Sequence, residues 1–384
     1  MNHFERIWHV LDERVASGRF PGYVAAVRIG REAQIHASGR TAIETTSAPM
    51  REDTLFRIAS VTKPMGAALT LSLMQDGVLS LDDPIARWLP ELASSRVLVA
   101  RDAPLDSTTQ VQRPITVRHL LTCTSGWGIA LEDAPLQRAM MERGVFPSAL
   151  PLEMSGDEFL ARVAELPLAF QPGDGWLYDT GINILGVLLE RATDKRLSDL
   201  CAERITGPLG MSSTSFWTRE VDRLATAYTP GRDGLEVLDA PDGLFARPPR
   251  FEELSGGLVS SARDVLRFYC AMADGGDPVL TGDSVALMTA DALTEAQRRQ
   301  AVSFVDAGGS WGLGTAVDIE AVERWMAPGR WGWTGGSGTT AYVDPTRGTV
   351  SVLLTQRAMT GPLDSFEYFW TAVAEAGATE EAAS

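Results

Sequence analysis

The sequence predicts an α+β fold of two lobes, in which an antiparallel sheet flanked by helices is joined to a mainly helical lobe. Strand-like runs lie near both ends of the 384-residue chain, and helical stretches separated by loops rich in Pro and Gly lie between them. The 45% hydrophobic and 22% charged composition is typical of a packed globular chain. We therefore expect a sheet domain formed by residues 1–79 and 221–384 and a helical domain at 80–220, with a cleft between them.

The N-terminal part of the chain supplies a helix, a hairpin and a second helix. Apolar residues recur with helical spacing over residues 4–17. Runs at 23–29 and 34–37 then predict two strands of a hairpin. The next strong helical pattern covers residues 60–74 and ends before Gly77, a residue that commonly terminates helices.

The rest of the chain continues with helices and then returns to strands. Helices are predicted at 116–122, 156–164, 182–192, 197–205 and 262–272. A region rich in loops is expected to follow them. Strands at 340–343 and 349–355 and a last helix at 366–375 complete the pattern. Strands at both ends can share one sheet, and this is the basis of the predicted fold class.

Charge and hydropathy exclude several classes of partner. The chain has 34 basic and 50 acidic residues and a net charge of −16, so it would repel phosphate backbones and anionic lipid. We expect neither a nucleic-acid nor a membrane partner. No apolar run is long enough to span a bilayer and no secretory signal is evident, so the cytoplasm is the expected compartment.

The histidines and cysteines exclude several chemistries. The four histidines all lie at or before residue 119, whereas the α/β-hydrolase order requires a histidine downstream of the serine and the acid. No G-x-S-x-G, H-E-x-x-H or P-loop motif occurs. The three cysteines show no metal-binding or disulfide spacing, and no metal or organic cofactor is expected. Nucleophilic catalysis in this chain would need a base other than histidine.

An S-x-x-K motif, Ser60 to Lys63, stands at the start of the predicted helix. Residues three apart share a helix face, so the two side chains can meet. A serine hydroxyl is a weak nucleophile until a base takes its proton, and a lysine can do so where burial and neighbouring positive charge lower its pKa. The helix N-terminus also favours developing negative charge. Taken alone, the motif fits a surface N-cap serine beside a solvated lysine equally well.

Further blocks along the chain carry a family resemblance. They follow in order at residues 56–63 with 73–84, 115–126, 170–186, 207–211 and 256–264. Together they resemble the serine β-lactamase-related family of class C β-lactamases, DD-peptidases and family VIII carboxylesterases, and the last group most of all. The similarity runs from about residue 20 to about residue 360. It implies the serine β-lactamase or penicillin-binding-protein fold.

The family's second motif, Tyr-x-Asn, reads Tyr178-Asp179-Thr180 here. The resemblance implies that Tyr178 works with Lys63 as a catalytic residue and relays protons to and from Ser60. Thr180 stands where the family has an asparagine that helps to hold the acyl side chain and the lysine. A hydroxyl lacks the reach of an amide, so Thr180 is a candidate substrate-binding residue but recognition of amide-type substrates is not expected.

The third motif, Lys-Thr-Gly or His-x-Gly, reads Trp333-Thr334-Gly335, and these three residues are candidate substrate contacts. The family's lysine attracts the carboxylate of penicillins and peptidoglycan stems. Trp333 offers an apolar wall instead, which favours neutral acyl or alkyl esters over anionic β-lactams. By the resemblance, the backbone N–H groups of Ser60 and Gly336 form the oxyanion hole.

These motifs predict an enzyme that hydrolyses small carboxylic esters through an acyl-enzyme on Ser60. Three alternatives stay open. The chain could be a β-lactamase or DD-peptidase, or an acyltransferase in which an alcohol or amine replaces water. It could also be a binding homologue without catalysis, although Ser60, Lys63 and Tyr178 are all retained.

Overall fold

A computed structural model of the chain describes residues 2–129, 133–362 and 364–381, with side chains as far as residue 378. The strands are β1 Gly22–Ile29, β2 Glu32–Gly39, β3 Leu55–Arg57, β4 Arg96–Leu98, β5 Thr108–Gln110, β6 Ala227–Gly231, β7 Gly234–Asp239, β8 Val259–Ser261, β9 Gly309–Trp311, β10 Ala316–Asp318, β11 Trp331–Gly335, β12 Thr339–Asp344 and β13 Thr349–Thr355. The helices are α1 His3–Ala16, α2 Thr62–Gln75, α3 Val117–Leu121, α4 Pro135–Glu142, α5 Gly156–Ala164, α6 Thr180–Thr193, α7 Leu197–Cys201, α8 Ala262–Ala273, α9 Gly282–Thr289, α10 Glu295–Ala301 and α11 Glu367–Glu381.

A seven-stranded sheet joins the two ends of the chain. Its strand order is β2-β1-β13-β12-β11-β10-β9, and every neighbouring pair is antiparallel. The N-terminal hairpin meets the C-terminal strands where β1 pairs with β13, with Ala26 opposite Val352. The predicted α+β fold, an antiparallel sheet flanked by helices, is therefore confirmed. The domain division at residues 80 and 220 stays a prediction.

Alternate residues of β1 face opposite layers of helices. Tyr23, Ala25 and Val27 pack in one hydrophobic cluster with residues of α1 and α11. Val24 and Ala26 belong to the larger cluster, which includes residues of α2 and α8. Because successive strand side chains point to opposite faces, a continuous apolar strand has both faces covered. The sheet therefore lies between two layers of helices.

Helix α2 lies at the centre of the molecule, since every residue from Thr62 to Leu73 is buried. It packs against α6 and also contacts β11. A short pair of antiparallel strands, β3 and β8, leads into α2 and α8 respectively. Within the described ranges, none of the helices combines the length and apolar character needed to cross a bilayer.

The region after α8 differs from the expectation of loops, because it contains α9, α10, β9 and β10. These elements are short, with eight and seven residues in the helices and three in each strand. Capping side chains start both helices: Thr281 accepts from the Ser284 N–H, and Thr294 forms a capping box with Gln297. Elements of this length carry too few apolar residues for a periodic pattern to be recognised.

Candidate active site

Ser60 lies in a sharp turn between β3 and α2. The chain makes one 3-10 turn at Ala59–Val61 before α2 begins. Ala59 has a φ of +44°, in the left-handed region that costs energy for a residue with a Cβ. This turn leaves Ser60 half-buried at the wall of a cavity, one helical turn before Lys63.

The hairpin of β11 and β12 packs on the turn that carries Ser60 and forms hydrogen bonds with it. The Thr339 hydroxyl donates to the Ile58 carbonyl at 2.8 Å, and the Ser337 hydroxyl donates to the Arg57 carbonyl at 2.5 Å. Gly335 packs so closely that a Cβ there would lie inside van der Waals distance of the Ile58 carbonyl and the Thr339 hydroxyl. Glycine at this position therefore allows β11 to approach the turn.

Lys63 is fully buried and its ammonium has three acceptors. It donates to the Ser60 hydroxyl at 2.9 Å and to the Ser255 carbonyl at 2.8 Å. The third acceptor is the Asp179 carboxylate, with which Lys63 forms a buried salt bridge. Three acceptors match the three N–H donors of an ammonium, so Lys63 is held in one orientation.

The charge state of Lys63 differs from the expectation. Burial lowers the pKa of the Lys63 ammonium. The negative charge of Asp179, the charge of Tyr178 when that phenol is ionised, and hydrogen bonds to both residues raise the pKa by a larger amount. The net pKa therefore lies above its usual value, and Lys63 is a cation at neutral pH. The sequence-based hypothesis required a neighbouring positive charge to depress this pKa. The structure has a carboxylate there instead.

Asp179 is a functional residue that sequence reasoning missed. Its φ of +82° is unusual for a residue other than glycine, and it immediately precedes α6. One carboxylate oxygen contacts Lys63, and the other is buried without a hydrogen-bond partner in the described part of the chain. The motif shows that Asp179 follows Tyr178 in the chain. The strained backbone conformation at Asp179 directs its carboxylate toward Lys63.

Tyr178 completes the cluster at the cavity wall. Its ring centroid lies 4.5 Å from the Lys63 Nζ atom, and its hydroxyl accepts a hydrogen bond from the Trp333 indole N–H at 2.5 Å. Burial raises the pKa of Tyr178, the Lys63 charge lowers it, Asp179 raises it, and hydrogen bonds with Ser60 and Trp333 lower it. The net pKa is above the usual value, so the resting phenol is protonated.

A cavity of about 210 Å³ opens beside this cluster. It is lined by Ser60, Tyr178, Phe304, Trp333, Thr334, Gly336, Met359, Gly361 and Pro362. Most of these side chains are apolar, and no Lys, Arg or His occurs among the described lining residues. Motif reasoning found the strand residues and missed Phe304, Met359, Gly361 and Pro362. Those residues come from segments outside every motif block and meet the site only through the fold.

Two of the predicted substrate contacts do not reach the cavity surface. Thr180 is 1% exposed in the first turn of α6, and its hydroxyl is buried without a hydrogen-bond partner in the described structure. Gly335 lies against the Ser60 turn rather than in the cavity. Trp333, Thr334 and Gly336 do line it. Over the residues described, no three His, Cys, Asp or Glu side chains are grouped so that they could hold a metal ion.

Comparison with known protein families identifies the family of this chain. The family model described as Beta-lactamase matches residues 9–376, nearly the whole chain. This chain belongs to the beta-lactamase family. The resemblance inferred from the motifs is therefore confirmed, and the fold of this beta-lactamase-family chain agrees with solved structures of similar proteins.

Similar proteins include both hydrolases and transferases. Esterase EstB of Burkholderia gladioli is 34% identical over 384 residues, covering 93% of this chain and 92% of EstB. Monacolin J acid methylbutanoyltransferase of Aspergillus terreus is 29% identical over 331 residues, covering 80% and 78% of the two chains. The solved structure of "EstCE1, a hydrolase with promiscuous acyltransferase activity" superposes with a TM-score of 0.81 at 25% identity, covering 97% of this chain and 98% of EstCE1. These likenesses support a serine acyl-enzyme hydrolase or acyltransferase.

Proposed function

We propose that this beta-lactamase-family chain hydrolyses neutral carboxylic esters through an acyl-enzyme on Ser60. The observation that carries the proposal is the contact of Ser60 with a buried Lys63 ammonium and the Tyr178 phenol at the wall of an apolar cavity. The names of EstB and EstCE1, an esterase and a hydrolase, support the same reaction. A nucleophile beside a proton acceptor and an oriented cation is the arrangement that acyl transfer requires.

In the acylation step, Tyr178 is the general base. Its deprotonated form takes the Ser60 proton as the Ser60 oxygen attacks the ester carbonyl. The positive charge of Lys63 and the Trp333 N–H both stabilise the phenolate. Lys63 keeps its own proton because Asp179 neutralises its charge, so its role is electrostatic rather than basic.

In the tetrahedral intermediate, the negative oxygen lies between the backbone N–H groups of Ser60 and Gly336, two residues at the cavity wall. Collapse of the intermediate expels the alcohol, which takes the proton held by Tyr178. Water then attacks the acyl-enzyme by the reverse sequence of proton transfers, and Ser60 is released with its proton. Over the whole cycle, one ester and one water molecule give one carboxylic acid and one alcohol, and the Ser60 hydroxyl is regenerated.

The cavity lining favours neutral substrates. Trp333 occupies the position where the related penicillin-recognising enzymes carry a cation, and its indole N–H is already committed to Tyr178. With no basic side chain among its described lining residues, the cavity offers no cationic partner to the carboxylate of a β-lactam. Burying that carboxylate unpaired would cost several kcal/mol, so esters without charge bind better.

Acyl transfer to an alcohol is a second candidate. The A. terreus relative is named as a transferase, and EstCE1 is described as a hydrolase with promiscuous acyltransferase activity. The apolar walls formed by Phe304, Met359 and Pro362 would hold an alcohol against the acyl-enzyme in place of water. The two reactions share every step until the acyl-enzyme meets its acceptor.

Initial rates on p-nitrophenyl butyrate and nitrocefin test the proposal, with Ser60→Ala as the control. We expect the ester to be turned over faster than the β-lactam and Ser60→Ala to be inactive on both. Faster nitrocefin turnover would contradict the neutral-ester assignment. Adding a primary alcohol separates the two candidates, because a transferase forms the new ester in preference to the free acid.

A further inference from the structure

The Ser255 carbonyl that binds Lys63 belongs to a loop at residues 251–257. The loop is wedged between two helices, since a Cβ on Gly66 of α2 would lie 2.7 Å from Leu254 and one on Gly186 of α6 would lie 3.2 Å from it. The absence of side chains at these two glycines lets the loop pass close to both helices. Its position therefore depends on its packing against α2 and α6.

A continuous chain of hydrogen bonds runs from Lys63 to Glu253. The Lys63 ammonium donates to the Ser255 carbonyl at 2.8 Å, and the Ser255 N–H donates to the Asn183 side-chain oxygen at 2.9 Å. The Asn183 amide group donates to one Glu253 oxygen at 3.2 Å. The other Glu253 oxygen accepts the Leu152 N–H at 2.8 Å. The carboxylate thus accepts from two donors that face it from different elements.

Glu253 is unusual among acidic residues because it is only 7% exposed. Burial raises the pKa of Glu253 to about 7, the Leu152 and Asn183 hydrogen bonds and the Lys63 charge lower it, and the Asp179 charge raises it. The carboxylate is costly to bury, but in its ionised form, which dominates above about pH 7, it offers two acceptor oxygens where an amide offers one. The two donors therefore explain why an acid is present here.

We propose that Glu253 is a positioning residue for the reaction at Ser60. Glu253 fixes Asn183, Asn183 fixes the Ser255 backbone, and the Ser255 carbonyl holds the Lys63 ammonium against the Ser60 hydroxyl. This inference rests on the proposed acyl-enzyme function. It adds to that function two residues, Glu253 and Asn183, that touch neither the cavity nor the reacting atoms.

Glu252 provides a matched control on the same loop. It is also buried, at 5% exposure, and it also accepts a backbone hydrogen bond, from the Ser198 N–H at 2.8 Å. Its second partner is Arg196, so it anchors the loop to the start of α7 rather than to Lys63. Replacing either carboxylate by an amide removes one acceptor, but only Glu253 is connected to the reacting serine.

The test compares Glu253→Gln and Glu252→Gln in ester hydrolysis. A glutamine at position 253 presents an N–H donor to either Leu152 or Asn183, which breaks the chain of hydrogen bonds. We expect kcat to fall about 10- to 100-fold with KM within about twofold of wild type, since small displacements of a catalytic group cost this much. Glu252→Gln should retain kcat within about twofold, a small change compared with that loss. Equal kcat values for the two variants would overturn the proposal.

A reciprocal exchange separates positioning from folding. In the double variant Glu253→Gln with Asn183→Asp, the introduced glutamine accepts from Leu152 and donates to the introduced aspartate, which still accepts from Ser255. The double variant therefore restores every hydrogen bond of the chain, with the donor now on residue 253 and the acceptor on residue 183. We expect it to recover most of the kcat lost in Glu253→Gln. A double variant that stays as slow as Glu253→Gln contradicts the positioning role. Ester turnover by Ser60→Ala would instead contradict the proposed function itself, so the two failures are distinguishable.

Discussion

At the scale of single residues, the proposed mechanism depends on the buried salt bridge between Lys63 and Asp179. A carboxylate beside the ammonium holds the pKa of Lys63 above its usual value, so the lysine has no lone pair to offer at neutral pH. The same ammonium lowers the pKa of Tyr178, although burial outweighs this effect. The proposed mechanism therefore assigns base catalysis to the small deprotonated fraction of Tyr178.

This assignment predicts the direction of the pH dependence. Because the pKa of Tyr178 lies above its usual value, the phenolate fraction grows with each unit of pH throughout the neutral range. We expect kcat/KM for a neutral ester to rise steadily from about pH 6 to about pH 9, since the base form is the reactive one. A value of kcat/KM that falls across this range, while the protein stays folded, would argue against Tyr178 as the base.

The Trp333→Phe variant tests the hydrogen bond that supports the phenolate. Removing the indole N–H takes away a donor to a charged acceptor, which is worth about 1.5–3 kcal/mol. We expect kcat/KM to fall about 10- to 100-fold and the pH profile to move to higher pH. The measurement is the pH profile of kcat/KM for the two proteins.

Trp331→Phe is the matched control for that variant. Trp331 lies two residues earlier on β11, is similarly buried and stacks on Tyr269 instead of contacting Tyr178. We expect it to lower stability and leave the shape of the pH profile unchanged. If both variants shift the profile alike, the indole of Trp333 acts through packing and not through its hydrogen bond.

Sequence motifs predicted the three catalytic residues at this scale but did not predict the charges and hydrogen bonds that surround them. Ser60, Lys63 and Tyr178 were recognisable because their spacing matches a known pattern. The proposed role of Asp179 depends on a φ of +82°, and the proposed role of Glu253 depends on a loop that packs between two helices. Motif spacing cannot predict either feature, because the first arises from backbone conformation and the second from contacts between residues distant in the chain. The same limit explains why Thr180 was expected in the cavity and lies inside α6.

At the scale of elements, the site depends on how β11 is docked on the turn that carries Ser60. Gly335 faces the Ile58 carbonyl at that contact, whereas a Cβ on the next residue, Gly336, would meet no atom within 4 Å. The strand end is therefore tightly packed at one glycine and open at its neighbour. This contrast gives a test of the docking with the smallest possible change, one methyl group.

We expect Gly335→Ala to lower the free energy of unfolding by about 1–3 kcal/mol, the usual cost of overpacking, and to slow acylation of Ser60. Gly336→Ala should keep the thermal midpoint of wild type, because its methyl group projects into open space. Thermal denaturation of the two variants checks the first effect, and the rate of Ser60 labelling by a phosphonate checks the second. Equal midpoints would show that β11 can move away from the turn without loss.

The elements themselves were predictable where they are long and periodic. The helices at α1, α2 and α6 and the strands of the terminal hairpin were expected within a few residues of their observed bounds. The short elements β9, β10, α9 and α10 were not, since capping and sheet pairing stabilise them more than their own pattern does. The strand β11 was recognisable only through the Trp333 motif.

At the scale of the whole molecule, buried acids make folding depend on pH. Burial raises the pKa of Glu253 to about 7 from a usual value of 4.5. Between these two values the native state binds a proton that the unfolded state releases. The stability contributed by this proton is complete below about pH 4.5 and is lost as the pH rises through about 7.

The comparison of wild type with Glu253→Gln isolates this contribution. A glutamine does not titrate, so the thermal midpoint of the variant minus that of wild type should increase between about pH 5 and about pH 8. Thermal melts of both proteins across this range provide the measurement. A difference that stays constant with pH would mean that Glu253 is ionised at the same pH in the folded and unfolded chains.

The most direct test of catalysis through Ser60 is mass spectrometry of the protein quenched during turnover of p-nitrophenyl butyrate. We predict a butyryl group on the peptide that contains Ser60, which forms more slowly in Tyr178→Phe and is absent from Ser60→Ala. Butyrylation at another residue, or ester turnover by Ser60→Ala equal to that of wild type, would contradict the acyl-enzyme mechanism.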